Sequence, residues 1–147
     1  MGSSTRMELH REKQTVYIKE KTKTKLMEKE IQLSEAIEAA LDKKAQDAVV
    51  LELGDICSFT DYFLICTGTS TRHNQTIAEQ IEETLKKAGV RPLHIEGQVE
   101  GEWILMDYVD FVVHIFSARA REFYDLERLW RAGKRRDAHE LIAQRAL

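Results

Sequence analysis

The fold of this chain is restricted above all by residues 62–67, a short run that is apolar almost from end to end. A strand of this composition needs cover on both faces, because it has no polar side to turn toward water. The run therefore predicts a strand in the interior of a sheet.

Three other segments have the composition of β-strands. Residues 49–53 form a short β-branched and apolar run that ends at Gly54. Residues 103–106 and 111–116 are separated by only four residues, which predicts an antiparallel hairpin. Residues 93–96 are a further, shorter candidate, so about five strands are expected.

Apolar residues at helical spacing predict three helices around these strands. The first begins near residue 31, the second follows a cap at Ser70 or Thr71 and stops at Gly89, and the third stops at Gly133. The apolar face of the third helix is expected to hold Phe123, Leu126 and Trp130. This order of elements predicts an α/β (α+β) fold with a single mixed sheet and helices packed on it.

A chain of 147 residues, 43% of them hydrophobic, is long enough for one compact domain. We place that domain at residues 31–133. Residues 1–30 are expected to be an N-terminal extension that is mobile or weakly ordered, and in part a cloning remnant that precedes a natural start at Met7. Residues 134–147 are expected to form a basic tail or a short extra helix.

Charge is distributed unevenly along the chain. Residues 1–30 carry eight basic and five acidic side chains, residues 31–117 carry six and fifteen, and residues 118–147 carry eight and five. The net charge of -3 excludes a histone-like or polybasic protein. The acidic middle and basic ends suggest contact with differently charged surfaces, although solvated helix faces explain most such runs equally well.

The sequence also bears on the compartment. No apolar run approaches the ~20 residues of a membrane span, and the N-terminus lacks a secretory signal. Five glutamates within the first thirty residues disfavour an organellar transit peptide. We therefore expect a soluble protein of the bacterial cytoplasm, with Cys57 and Cys66 reduced in the core.

One interpretation of the polar residues is enzymatic. A Gly-Ser turn at a helix N-terminus, here Gly68 and Ser70, can hold phosphate, and the carboxylates Asp107 and Asp110 can bind metal ions, as in a metal-dependent nucleotidyltransferase. However, that carboxylate spacing straddles a hairpin turn, and the Gly-Ser turn lacks a Walker lysine. A helix cap is the simpler explanation.

A second interpretation concerns aromatic and charged residues around the predicted hairpin. Trp103, Asp107, Tyr108 and Asp110 lie within eight residues, and the following helix carries Arg121, Phe123 and Tyr124. Large aromatics beside charged groups are typical of protein interfaces. A purely structural role, with Trp103 in the core, explains the pattern equally well.

Three blocks of sequence carry a family resemblance. They are DYFLICTGTS at residues 61–70 with His73 three residues on, Glu96 and Gly97 followed by GEWILMDYVDFVVHIF at residues 101–116, and REFYDLERLW at residues 121–130. In this order and over about residues 33–132, they resemble the ribosomal silencing factor family, also called the Iojap or RsfS family.

This resemblance implies a translation regulator that is not an enzyme and needs no metal or cofactor. It implies binding to a large-subunit ribosomal protein at the intersubunit face, which blocks joining of the small subunit and lowers protein synthesis when nutrients are scarce. It also implies a sheet related to that of nucleotidyltransferases. The residues expected to contact the partner are Trp103, Leu105, Met106, Asp107, Tyr108, Asp110, Arg121 and Tyr124.

Two further expectations follow from charge and from one departure. The acidic middle complements a basic ribosomal protein. The basic ends are candidates for peripheral contact with ribosomal RNA. The sequence does not decide whether the protein forms a homodimer or acts as a dimeric scaffold.

Many family members have glycine where this chain has Val109. A β-branched residue disfavours the positive φ of tight hairpin turns, so a wider turn is expected here.

Overall fold

The structure is a computed structural model that describes the backbone of residues 2–146 and the side chains of residues 6–144. The helices are α1 (Gly2–Asp42), α2 (Thr71–Lys87), α3 (Ala118–Tyr124), α4 (Leu126–Leu129) and α5 (Ala138–Ala146). The strands are β1 (Gln46–Glu52), β2 (Tyr62–Thr67), β3 (His94–Glu96), β4 (Trp103–Asp107), β5 (Phe111–Phe116) and β6 (Lys134–Asp137). Of the helices in this described part, none has the length and hydropathy of a membrane span.

The six strands form one mixed sheet in the order β3-β4-β5-β2-β1-β6. Strands β2 and β5 are parallel, and every other neighbouring pair is antiparallel. The predicted interior position of residues 62–67 is confirmed, since β2 lies between β1 and β5 with all but its first residue buried. The predicted hairpin is also confirmed as β4 and β5.

One face of the sheet is covered by helices. Ile77, Ile81 and Leu85 of α2 are completely buried in a cluster that also contains the last residues of α1 and the inward side chains of the sheet. Cys66 belongs to this cluster and is a free thiol, and burial raises its pKa to about 12. The thiol is therefore protonated and unreactive at neutral pH.

The opposite face has a smaller cover. Its core consists of side chains from β1, β2 and β5 packed against Ala120 of α3, with Leu126 and Trp130 adding partial cover. The cover on this face is incomplete, since Trp103, Leu105, Leu126 and Trp130 are only partly buried against the cluster.

The break between α3 and α4 corrects the prediction of a continuous third helix. Asp125 ends α3 in the left-handed conformation, with φ 45° and ψ 53°. Aspartate tolerates this conformation better than most residues, so the helix can stop without glycine. As a result Phe123 does not join Leu126 and Trp130 on one buried face, but is 79% exposed.

The C-terminal segment also differs from expectation. Residues 134–137, which we assigned to a basic tail, form β6 and pair with β1. The strand is at the sheet edge, where a charged sequence is favourable because it prevents pairing with other chains. The short helix predicted after it is present as α5, whose Ala138 is completely buried.

The chain divides into two compact units, residues 1–32 and 33–147. In the first unit the described backbone is helical, whereas the sequence led us to expect weak order there. The sequence of this unit has no apolar period, and the structure agrees with that, because all side chains from residue 6 to residue 28 are exposed. The second unit contains the sheet and the elements packed on it.

Candidate functional site

The less covered face of the sheet contains a group of partly exposed side chains on its β3–β4 side. Because side chains alternate along a strand, Trp103, Leu105 and Asp107 of β4 lie on this face, next to His94 and Glu96 of β3. We call these five residues the open face. All five are at least partly accessible to solvent.

Trp103 is fixed in place by three aromatic neighbours. Its Nε1–H donates a hydrogen bond to Nδ1 of His114 at 3.1 Å, and its ring lies 5.0 Å from the Phe116 ring and 4.6 Å from the Tyr124 ring. Burial lowers the pKa of His114 to about 3, so its ring is neutral and Nδ1 can accept. A side chain held in this way loses little entropy on binding a partner.

Further rings continue this aromatic row across the sheet. Phe63 lies 4.6 Å from His114 and 5.7 Å from Trp130, and Trp130 lies 6.1 Å from Phe59 (ring centroids). Phe59, which is 61% exposed, was missed by the sequence analysis. Its position in a loop just before a buried strand was the available signal, but only the sheet brings it next to Trp130.

The open face has an acidic margin. The Asp107 carboxylate lies 3.8 Å from Nδ1 of His94, whose Nε2 lies 3.3 Å from Glu96. Glu102, beside Trp103 in the chain, accepts a hydrogen bond from the Ser117 hydroxyl at 2.6 Å. An apolar centre with carboxylates at its edge suits a basic protein surface.

The hairpin turn beside Asp107 is tighter than the sequence analysis expected. Val109 adopts φ 73°, and the Asp110 N–H donates to the Tyr108 carbonyl at 2.9 Å. The Asp107 carboxylate accepts the Val109 N–H at 2.8 Å, which stabilises this conformation. The β-branched residue therefore occupies the left-handed region and does not widen the turn.

Two of the predicted contact residues lie on the other side of the sheet. Met106 is completely buried, and Tyr108 is 6% exposed with its ring 5.1 Å from that of Phe111. Burial raises the pKa of the Tyr108 hydroxyl. Both side chains belong to the core beneath α2, which corrects their assignment to a contact surface.

Arg121 is bound within the domain. Its Nε–H donates to Glu127 at 2.8 Å, and Nη1 donates to the Asp47 carbonyl at 2.8 Å and to the Thr67 hydroxyl at 3.0 Å. These bonds connect α3 to β1, β2 and α4. The residue thus positions the helices that flank the open face, while Tyr124, which is 50% exposed, remains available to a partner.

The residues of the enzymatic interpretation have structural partners. Ser70 caps α2 by accepting the His73 N–H at 3.0 Å, and the Thr69 N–H donates to Nδ1 of His73 at 2.8 Å. The opposite ring nitrogen of His73 donates to the Lys43 carbonyl at 2.7 Å. Among the described residues, no three His, Cys, Asp or Glu side chains are grouped as metal ligands.

Comparison with known proteins gives consistent matches. The model of a family described as "Ribosomal silencing factor during starvation" (RsfS) matches residues 26–146. The Bacillus subtilis ribosomal silencing factor RsfS is 40% identical over 95 residues, which are 65% of this chain and 80% of the relative. The Mus musculus "Mitochondrial assembly of ribosomal large subunit protein 1" is 33% identical over 91 residues, 60% of this chain and 40% of that protein.

Solved structures match as well. The crystal structure of a Chromobacterium violaceum protein superposes with a TM-score of 0.66 at 36% identity, and the match covers 67% of this chain and 82% of that one. The matched family region extends to residue 146, so it includes β6 and α5.

Proposed function

Because this chain belongs to the ribosomal silencing factor family, we propose that it represses translation by binding the large ribosomal subunit and excluding the small one. The contact is with a ribosomal protein at the intersubunit face, and repression operates in the cytoplasm when nutrients are limiting. The protein acts without a cofactor and without catalysing a reaction. The name of the mouse relative, which refers to the large ribosomal subunit, supports this choice of subunit.

The observation that carries the proposal is the open face. It offers a preoriented tryptophan and an adjacent leucine on a rigid sheet, at a place where the helical cover is incomplete. Buried aromatic anchors of this kind contribute most of the binding energy in many protein interfaces. Exclusion of the small subunit then needs only steric overlap, because two bodies cannot occupy one surface.

Charge supports a basic partner. Residues 31–117, which include the whole open face, carry fifteen acidic and six basic side chains. Ribosomal proteins are generally basic, so the two surfaces attract each other and orient before contact. The contact residues that we propose are Trp103, Leu105, Asp107, Asp110 and Tyr124, with Arg121 as the positioning residue for α3.

Co-sedimentation tests this function. The purified protein is mixed with separated large and small ribosomal subunits, the missing subunit is added, and the fraction of coupled ribosomes is measured. We expect binding to the large subunit only, and suppressed coupling. Trp103→Ala and Asp107→Lys should each weaken binding at least about tenfold, as removal of an interface anchor does.

The control variant is Tyr17→Ala, which removes an exposed aromatic ring from the first unit, far in sequence from the open face. It should bind as the unchanged protein does. Undiminished binding by both Trp103→Ala and Asp107→Lys would show that the open face is not the contact. Absence of binding to either subunit would reject the proposed function itself.

A further inference from the structure

A second exposed patch lies on α3 and α4, beside the open face. Phe123, Tyr124 and Leu129 are 79%, 50% and 72% exposed and line a shallow cavity of about 630 Å³. Contiguous exposed apolar side chains often mark a binding site on a protein surface. The patch exists because the chain leaves the helical conformation at Asp125, between Phe123 and Leu129.

The two rings of the patch differ in their freedom. Tyr124 is held against Trp103 at 4.6 Å, and Phe123 meets Tyr124 edge-on at 5.1 Å with an interplanar angle of 86°. No other ring contact involves Phe123 among the described side chains. One face of the Phe123 ring is thus available for stacking with a planar group.

Two arginines, Arg128 and Arg131, line the same cavity as the exposed rings. Three other arginines between residues 119 and 136 form ion pairs within the domain. Arg121 and Arg135 pair with Glu127, and Arg136 pairs with Glu52. Arg128 and Arg131 make no ion pair within the described residues, so their guanidinium groups are available to a ligand. The cavity lining also includes two carboxylates, those of Glu122 and Asp125.

We propose that this patch binds an unpaired nucleotide of ribosomal RNA, whose base stacks on Phe123 and whose phosphates pair with Arg128 and Arg131. Exposed aromatic rings next to arginines are the usual means of binding single-stranded nucleic acid. The inference rests on the proposed function, because the large subunit supplies the RNA. Tyr124, which packs on Trp103, connects the patch to the open face, so both can contact one ribosomal surface on which protein lies beside RNA.

RNA binding by the isolated full chain is the direct test. Fluorescence anisotropy is measured with a labelled single-stranded RNA of about ten nucleotides and with a duplex of equal length. We expect binding of the single strand and weaker binding of the duplex, whose bases are not free to stack. Phe123→Ala should weaken single-strand binding between about 5-fold and 150-fold, the range for one lost stacking contact.

Two other variants separate stacking from charge. Phe123→Trp should keep binding, and Arg128→Glu with Arg131→Glu should weaken it and lower the dependence of log affinity on log salt by about one to two. Tyr17→Ala is the matched control, because this exposed ring also has a cation, Lys21, 5.1 Å above it. It should bind RNA normally.

Three results would overturn the inference. They are absence of single-strand binding, equal losses for Tyr17→Ala and Phe123→Ala, and a concentration-dependent dimer that Phe123→Ala dissociates while RNA binding stays unchanged. Subunit co-sedimentation keeps the two proposals apart. Binding to the large subunit without binding to free RNA would reject this inference alone, whereas binding to RNA without binding to the subunit would reject the proposed function.

Discussion

At the scale of single residues, the bond between Trp103 and His114 connects the surface to the core. The His114 ring accepts through Nδ1, and its other nitrogen has no hydrogen-bond partner among the described residues. A proton can therefore be added only at Nδ1, which removes the bond to Trp103 and places a charge in an apolar environment. Both effects oppose protonation of the folded protein.

This arrangement predicts acid sensitivity. Burial lowers the pKa of His114 to about 3 in the folded state, against 6.5 for the ordinary side chain, so the unfolded chain binds the extra proton first. The contribution of neutral His114 to the free energy of unfolding is therefore complete above pH 6.5 and is lost as the pH falls toward 3. Between these values the free energy of unfolding should fall by up to about 1.4 kcal/mol per pH unit from this group.

Urea unfolding at several pH values measures this dependence. In the variant His114→Gln, which keeps an acceptor for Trp103 but cannot titrate, the free energy of unfolding should change less between pH 7 and pH 4. Identical pH profiles for the variant and the unchanged protein would show that His114 is not the titrating group.

Val109 gives a second prediction at this scale. It holds φ 73°, a conformation that costs a β-branched residue roughly 1–3 kcal/mol, and its side chain is more than half exposed, so little packing is lost on its removal. Val109→Gly should raise the free energy of unfolding by about 1 kcal/mol, after the greater freedom of glycine in the unfolded chain is subtracted.

Val109→Ala is the matched control, because alanine also has a Cβ and keeps most of the backbone strain. Its urea midpoint should change less than that of Val109→Gly. A lower midpoint for Val109→Gly than for the unchanged protein would contradict the assignment of strain to this turn.

At the scale of elements, the spacing of apolar residues in the sequence correctly predicted those strands and helices whose buried residues recur at the regular spacing of a strand or a helix. The apolar runs that became β2, β4 and β5 and the stripe of α2 have strong patterns, because each packs a full face against the core. Strand β6 has no such pattern, since the Lys-Arg-Arg-Asp run pairs at an edge through its backbone. Its position depends on a partner strand more than eighty residues earlier, which no local signal encodes.

The last two elements are predicted to be essential to the fold. Removal of residues 134–147 takes away the strand paired with β1 and uncovers the site of Ala138, which is completely buried. We expect this shortened chain to lose cooperative thermal unfolding, as monitored by circular dichroism. Removal of residues 1–30, whose described side chains are almost all exposed, should leave the unfolding transition of the second unit within a few degrees.

A cooperative transition at an unchanged temperature for the chain without residues 134–147 would contradict this assignment. So would loss of the transition after removal of residues 1–30. The two shortened chains thus serve as controls for each other.

At the scale of the whole molecule, the sequence predicted which residues are chemically suited to contact, and the sheet decided which of them are accessible. Trp103 and Met106 are three residues apart, yet they lie on opposite faces, and only Trp103 reaches the surface. Phe59 and Trp130 are distant in sequence but adjacent in the fold. Selection among candidate contacts therefore required strand alternation and register, which composition and spacing do not provide.

Charge organisation is also a property of the whole fold. Glu96 and Asp107 lie on the β3–β4 side of the sheet, whereas Arg128 and Arg131, which make no ion pair within the described residues, lie on α4 and directly after it. Under the proposed function, this division suits a ribosomal surface, where basic proteins and RNA phosphates alternate over short distances.

The position of β6 has a consequence for biosynthesis. The first strand of the sheet pairs with the last, Glu52 opposite Lys134, and the central parallel pair joins β2 to β5 across more than forty residues. Contacts of such long sequence separation form late, since the intervening chain must first be made. Until residues 134–137 have been synthesised, the sheet is incomplete and the outer edge of β1 has no partner strand, which leaves its backbone open to pairing with another chain.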